Sequence, residues 1–344
     1  MLVDALPCGV LSSLFSVATD SYDLAVREIR DEFGPRVKVE RVSGDLGRIT
    51  ENGPSIEELA AACNDGRIVF IRHLTTEIAG FGVGEVPPGH ELAELILAEL
   101  PRHPQALAVQ TWTDGASSGG SYYHLLEPAL AERGIEVSRA GQEFVVSCFA
   151  SKKNVLIGLN RLEHSLSDWP GGRMRLARSD DRVSRSEFKL EEAIETFDLQ
   201  LPEGGKALDL GASPGGWTRI LRQHGQQVWS IDPGDLDRRV AADRGVHHVA
   251  TTAGEFFRRN QLRFDVVVND MRMDQLMSAR VMLDAVPHLH RGALAVVTLK
   301  GGARNPLDAA RRAMDVLRKN YDIHTARQLH HNRNELTVIA RAKR

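Results

Sequence analysis

At 344 residues, 42% of them hydrophobic and 26% charged, the chain has the length of two or three globular domains and no low-complexity tract, repeat or apolar run of membrane-spanning length. Its three cysteines, Cys8, Cys63 and Cys148, stand far apart without C-x-x-C spacing, which argues against a disulfide framework or a zinc site and for a reducing cytoplasm. The net charge of −3 is unevenly placed: the first hundred residues carry 8 Lys/Arg against 17 Asp/Glu, whereas from Lys300 onward 11 basic residues face 4 acidic ones. Residues 1–17 are mildly apolar but include Asp4 and no basic segment, so they do not read as a signal peptide.

Residues 10–75 read as a small α/β unit. Strands are predicted at 10–17, 37–42 and 68–74, with helices at 21–33 and 56–63; the first helix rests on the spacing Tyr22, Ala25, Val26, Ile29, Phe33. A turn-rich break follows at 80–89, with Pro87 and Pro88. Beyond it come helices at 91–99 and 122–133 and strands at 106–112, 143–149 and 154–160. Lys152 and Lys153 fall at the tip of the last hairpin, where they either reach phosphate or keep an exposed turn soluble. Residues 165–178, with Trp169-Pro170-Gly171-Gly172, read as a linker, and Arg173, Arg175, Arg178, Arg182 and Arg185 follow in close succession. Such clustered cations are the footprint of RNA contact or, equally, a solvated basic face. This half contains no catalytic constellation.

The stretch 207–232, ALDLGASPGGWTRILRQHGQQVWSID, organises the second half. A short apolar strand runs into a glycine-rich turn and then a helix, whose N-terminus presents free N–H groups. No Gly-Lys-Ser/Thr follows, so the turn is not a P-loop, and it lacks the G-x-G-x-x-G of dinucleotide sites. Asp232 closes the next strand, where an acid grips a ribose diol in nucleoside-binding α/β folds. Asp209 beside the turn repels phosphate and suits a cationic ligand. Strands at 264–269 and 293–299 then deliver Asp270 and Lys300, with helices at 184–197, 274–288 and 306–320 and closing strands at 321–329 and 335–341. This alternation predicts a largely parallel sheet covered on both faces, with ligands beyond the carboxyl ends of its strands. Asp209, Asp232, Asp270 and Lys300 all fall at or near such ends.

The run DLGASPGGW and the segments SRSEFKLEEA, VVVNDM, VVTLKGG and ARQLHHNRNELTV resemble the FtsJ-like S-adenosylmethionine-dependent RNA 2′-O-ribose methyltransferases. The resemblance implies a Rossmann-like class I methyltransferase domain at 181–344 and a catalytic tetrad of Lys189, Asp270, Lys300 and Glu335. It also implies S-adenosyl-L-methionine held by Ser186, Asp209, Gly211, Ser213, Pro214, Gly215, Gly216, Trp217, Asp232 and Asp270. A ribose hydroxyl is a poor nucleophile, and a lysine can deprotonate it only where burial and neighbouring cations lower the lysine pKa. In the hypothesis drawn from this, Lys300 is the base or alkoxide stabiliser, Asp270 orients it, Lys189 adds positive potential and Glu335 holds the set together. One departure stands out: Thr251 and Thr252 occupy the place where many relatives carry an acid against the adenine amine.

Residues 1–78 resemble a ferredoxin-like domain and 79–165 a THUMP RNA-binding domain, with 166–180 as linker. The expected fold class is therefore an α/β methyltransferase sheet preceded by two small α+β domains. This arrangement is similar to the branch of the family that methylates large-subunit rRNA, which implies a cytoplasmic enzyme acting on a cytidine of 23S rRNA. The alternatives are methylation of tRNA or another RNA, a non-catalytic RNA-binding ribosome-assembly factor, and a small-molecule methyltransferase. The pairs His247-His248 and His330-His331 lack partners at ligand spacing, so no metal is expected.

Overall fold

A computed structural model describes residues 12–114, 119–177, 181–302 and 305–343; the expected features at 1–11, Cys8 and Arg178 lie outside them. The chain divides into two compact units between Arg175 and Leu176.

The first unit runs β1 (Ser13–Ser16), α1 (Tyr22–Phe33), β2 (Lys38–Arg41), β3 (Leu46–Glu51), α2 (Ile56–Asn64), β4 (His73–Gly82), α3 (Gly89–Ala98), β5 (Ala106–Thr113), α4 (Gly119–Ala131), β6 (Glu136–Ser138), β7 (Phe144–Ala150) and β8 (Asn154–Arg161). Helix α1 buries Tyr22, Ala25 and Ile29 on one stripe, as its spacing predicts, and α2 starts on a capping box between Ser55 and Glu58. The strands form one eight-stranded sheet in the order β2-β3-β1-β4-β8-β7-β5-β6. Most neighbours are antiparallel; β5 alone pairs in parallel, with β6 and β7. Leu92, Ile96, Leu126 and Leu130 from α3 and α4 close one face over Val109, Val146 and Ile157, each such burial worth roughly 1.5–3 kcal/mol.

Strand β4 joins what sequence divides at 78/79. Its first residues pair with β1 on one edge, and Thr76 to Gly82 pair with β8 on the other. The proposed ferredoxin-like and THUMP-like parts therefore share a single sheet. The strand expected at 68–74 is displaced. Ile68, Val69 and Ile71 are buried, but the buried carboxylate of Glu28 accepts hydrogen bonds from the N–H groups of Val69 (3.1 Å) and Phe70 (3.2 Å), so no ladder is needed there. Strands β3 and β6 were not expected: the first is polar and glycine-containing, the second three residues long.

The segment read as a linker packs on this unit as far as Arg175. Ser16 donates to the Gly171 carbonyl (2.7 Å), Gln110 donates to Asp168 (3.2 Å), and Arg173 binds Asp45 and the Thr113 carbonyl. A Cβ on Gly171, at φ +58°, would lie 2.9 Å from the Trp112 indole nitrogen, so glycine permits this close passage.

The second unit runs α5 (Glu187–Thr196), β9 (Lys206–Leu210), α6 (Gly216–Gln223), β10 (Gln227–Ile231), α7 (Arg238–Ala241), β11 (Val246–Val249), α8 (Ala253–Arg259), β12 (Phe264–Asn269), α9 (Gln275–Ala285), β13 (Leu289–Lys300), α10 (Pro306–Leu317), β14 (Tyr321–Arg327) and β15 (Glu335–Ala342). Its seven-stranded sheet has the order β11-β10-β9-β12-β13-β15-β14, and only β15 runs against the rest. The order reverses between β9 and β12, the switch point at which ligands bind in open α/β sheets. Leu190 from α5 and Trp217, Ile220 and Leu221 from α6 cover Ala207, Val228, Val266 and Val296 on one face. Among the described residues no helix is long and apolar enough to cross a membrane.

Candidate active site

Four charged side chains meet at the carboxyl edge of the second sheet. Asp270 directly follows β12, and Lys300 ends β13. Because β15 is antiparallel, its first residue rather than its last lies at that edge, and the register sets Glu335 opposite Lys300. Lys189 arrives from the first turn of α5. Its ammonium is 3.2 Å from Asp270 Oδ1 and 2.7 Å from Glu335 Oε2. Lys300 Nζ binds Asp270 Oδ1 and stands 3.3 Å from Glu335 Oε1. Two lysines and two carboxylates thus alternate in a closed ring. All four are between 14% and 18% exposed, largely desolvated yet open to a substrate.

The two lysines are not equivalent. Burial opposes charge on both. At Lys189 the pull of Asp270 and Glu335 outweighs it, and the pKa is raised above the ordinary lysine value. At Lys300 burial wins over the same two carboxylates, Lys189 adds its repulsion, and the pKa is lowered. Environments that push a pair of like groups apart assign different tasks to them.

Thr298 was missed in the sequence. Its hydroxyl donates to Asp270 Oδ1 (2.7 Å), fixing the carboxylate between the lysines. The signal was available, since Thr298 lies two residues before Lys300 and so shares its face of the strand.

The glycine-rich turn lies at the carboxyl ends of β9 and β10. Both oxygens of Asp232 are engaged by backbone, accepting from Ser213 N (3.2 Å) and Gly234 N (2.7 Å). Gly211, at φ +78°, lets Met271 pass: a Cβ there would lie 2.6 Å from Met271 Cγ. Pro214 follows a cis peptide bond, and Gly215 precedes α6 in the left-handed region. Gly216 faces Ser184 and Ser186, whose hydroxyls are 2.6 Å apart, and the buried Trp217 donates from its indole to the Ser186 carbonyl (2.8 Å). The segment 183–187 is thereby laid against the turn. Buried Glu187 secures it by accepting from Val183 N (2.6 Å) and Arg219 (2.7 Å), so α5 begins at Glu187 rather than at 184.

Asp209 sits deeper than the other turn residues. It is 1% exposed, accepts from the Thr218 hydroxyl (2.6 Å), and burial raises its pKa to about 7. It lies beneath the turn and not on its surface. Thr252 caps α8 by accepting from Glu255 N (3.3 Å), and Thr251 donates to the Glu255 carboxylate (2.9 Å). Within the arginine run, Arg173 binds Asp45, and Arg182 binds Glu191 (2.7 Å) and lies over the Phe188 ring. Arg185 is exposed. In the histidine pairs, His248 lies against the Asp232 carbonyl (3.2 Å) and His331 against Glu192 (2.7 Å). Among the described residues no three His, Cys, Asp or Glu side chains gather as a metal site.

Residues 182–303 match the family model of the FtsJ-like methyltransferases, a span that holds Lys189, the turn, Asp270 and Lys300. The chain is 34% identical over 293 residues to a ribosomal RNA large subunit methyltransferase M of Halorhodospira halophila, covering 80% of this chain and 81% of that one. The chain belongs to that methyltransferase family. A second member, from Alkalilimnicola ehrlichii, is 34% identical over 316 residues, covering 87% of this chain and 85% of its own. The crystal structure of TrmN from Thermus thermophilus is 16% identical with a TM-score of 0.39, covering 97% of this chain and all of that one; at that distance the likeness carries no argument. This chain is thus a methyltransferase, with a mixed α/β fold in its catalytic unit.

Proposed function

We propose that this methyltransferase modifies a ribose 2′-hydroxyl of large-subunit (23S) ribosomal RNA, at a cytidine, in the cytoplasm. The observation that carries the reading is the closed ring of Lys189, Asp270, Lys300 and Glu335, in which the Lys300 pKa is lowered and the Lys189 pKa raised. In this reading Lys300 accepts the proton of the 2′-hydroxyl, or meets the developing alkoxide as a cation. Asp270, fixed by Thr298, aims it. Lys189 stays charged and adds its repulsion to the burial that lowers the Lys300 pKa, while Glu335 bridges both. Placing base and hydroxyl together accounts for much of such a rate.

The turn fits S-adenosyl-L-methionine, which supplies an electrophilic methyl group when bound. Asp232 retains lone pairs for a ribose diol after accepting its two backbone bonds. Gly211, Ser213, Pro214, Gly215 and Gly216 line the approach. Asp209 and Trp217 support the turn from below, with Ser186 beside it. Thr251 or nearby backbone takes the adenine edge in place of the acid of other relatives. In the first unit we assign 1–78 as ferredoxin-like and 79–165 as THUMP-like, gripping RNA; Lys152 and Lys153 stand exposed at the β7–β8 tip for phosphate contact.

The test is transfer of tritiated methyl from S-adenosyl-L-methionine to total RNA from a strain lacking the gene, followed by alkaline hydrolysis. The expected product is an alkali-resistant labelled dinucleotide from the large rRNA. Label in mononucleotides means base methylation and overturns the 2′-O assignment. Label confined to tRNA favours the alternative substrate.

A further inference from the structure

Lys189 and Glu335 come from opposite ends of the second unit, and the ring closes only if the turn before β15 is held against α5. The contact that does this lies one helical turn beyond Lys189. Glu192 is 2% exposed, and its carboxylate accepts from three donors, all on that turn: His330 N (2.6 Å), His331 N (2.7 Å) and His331 Nδ1 (2.7 Å). The His331 ring stacks on Phe188, the residue before Lys189, with centroids 5.0 Å apart and planes 13° from parallel; Arg182 covers that phenyl ring at 4.0 Å. Within the turn, Asn332 Oδ1 accepts from Leu329 N (2.9 Å) and the Thr337 hydroxyl (3.0 Å), and the Asn334 carbonyl accepts from Gly301 N, just after Lys300. Residues 329–334 are thus tied to α5 at one end and to the end of β13 at the other.

We infer that Glu192 is the positioning residue for Glu335, setting the turn so that this carboxylate reaches both lysines; the inference rests on the tetrad reading above. Stability alone does not call for this arrangement. A buried carboxylate is expensive to desolvate, and an apolar contact would anchor a turn at least as well. What three charge-assisted bonds add is direction. They fix the backbone of residues 330 and 331, a few residues ahead of Glu335, relative to the helix that carries Lys189.

The experiment is a double-mutant cycle of single-turnover methyl transfer on the full chain, using wild type, Glu192→Ala, Glu335→Gln and the double variant. Melting temperature and S-adenosyl-L-methionine affinity are measured beside it. Glu192→Ala is expected to slow transfer about 30-fold, within the range that mispositioning of a reacting group produces. Affinity for S-adenosyl-L-methionine should stay within about twofold, since the turn it would occupy touches none of these bonds. On the Glu335→Gln background the same change should slow transfer no more than about threefold, because the group it positions is already gone. Glu192→Gln keeps the volume and one acceptor; it should fall between wild type and alanine, and it carries the cycle if the alanine variant does not fold. An equal loss on both backgrounds, or a loss of cofactor affinity matching the loss of rate, overturns the inference. If Glu335→Gln slows transfer and neither Glu192 variant does, the tetrad stands and this inference fails. If Glu335→Gln is itself without effect, the tetrad reading falls and takes the inference with it.

Discussion

In the eight-stranded sheet of the first unit, most neighbouring strands run in opposite directions, so their carboxyl ends are dealt to both edges. In the seven-stranded sheet of the second, six strands share a direction and their carboxyl ends share one edge. Two ionisable groups, one in each sheet, illustrate this difference. Among the described residues His73 on β4 is buried with no ionisable partner; it lies against the edge of Trp112 at 5.3 Å, and burial lowers its pKa to about 4. Lys300 on β13 is only partly exposed, and it shares its edge with a carboxylate from the neighbouring strand and another from the returning one. Burial without a charged partner neutralises a titratable group; convergence of opposite charges keeps one paired at the sheet edge. Parallel topology supplies convergence without any long-range sequence signal beyond a residue at the end of each strand.

Four changes test that contrast. The largest effect is expected from Asp270→Asn, which leaves both lysines facing a neutral amide. Methyl transfer should fall by about 10²–10⁴-fold, the usual worth of a general acid–base arrangement, with little change in melting temperature. Single-turnover rates and calorimetry check it.

The second concerns Asp209. Its folded pKa of about 7 lies above the unfolded value, so the native state holds that proton more tightly. The stability this confers is full below about pH 4 and is lost as pH rises through 7. Asp209→Asn keeps an acceptor for Thr218 and removes the titration. Relative to the variant, wild type should lose on the order of a few kcal/mol between pH 4 and 8 in urea unfolding.

His73 supplies the opposite sign. Its folded pKa of about 4 lies below the unfolded value, so its stability is present above pH 6.5 and lost as pH falls toward 4. His73→Leu should flatten that acid limb by a somewhat smaller amount, roughly 1–3 kcal/mol, and leave methyl transfer unchanged. Unfolding between pH 7 and 4.5 measures it.

The smallest effect is a shift in the pH–rate profile. Transfer should rise with pH to an inflection below the ordinary lysine range. Glu335 raises the Lys300 pKa, so Glu335→Gln should move the inflection down. A shift upward would contradict the assignment of Lys300 as the titrating group.

Much of the catalytic unit was legible in sequence because its signals are local. The apolar strand ends name Asp232, Asp270 and Lys300, and the glycine pattern names the turn. Glu335 needed the family resemblance, since a glutamate at the start of a strand reaches the same edge only when that strand is antiparallel, which spacing alone does not reveal. Glu192 and Thr298 were overlooked because each acts on a partner 28 or more residues away. The first unit was less legible for a physical reason. Glu28 replaces a ladder for residues 69 and 70, so buried apolar chain there imitates a strand. Nothing local announces that β4 serves two neighbours in succession.

The measurement that bears most directly on the account is single-turnover methyl transfer to large rRNA by Lys300→Ala, with RNA and S-adenosyl-L-methionine binding measured on the same preparation. The account predicts a rate loss of about 10³-fold or more, with both affinities within about threefold of wild type. A rate close to wild type with binding intact would contradict it, because the ring of charges would then be structural and the proton would leave by another route.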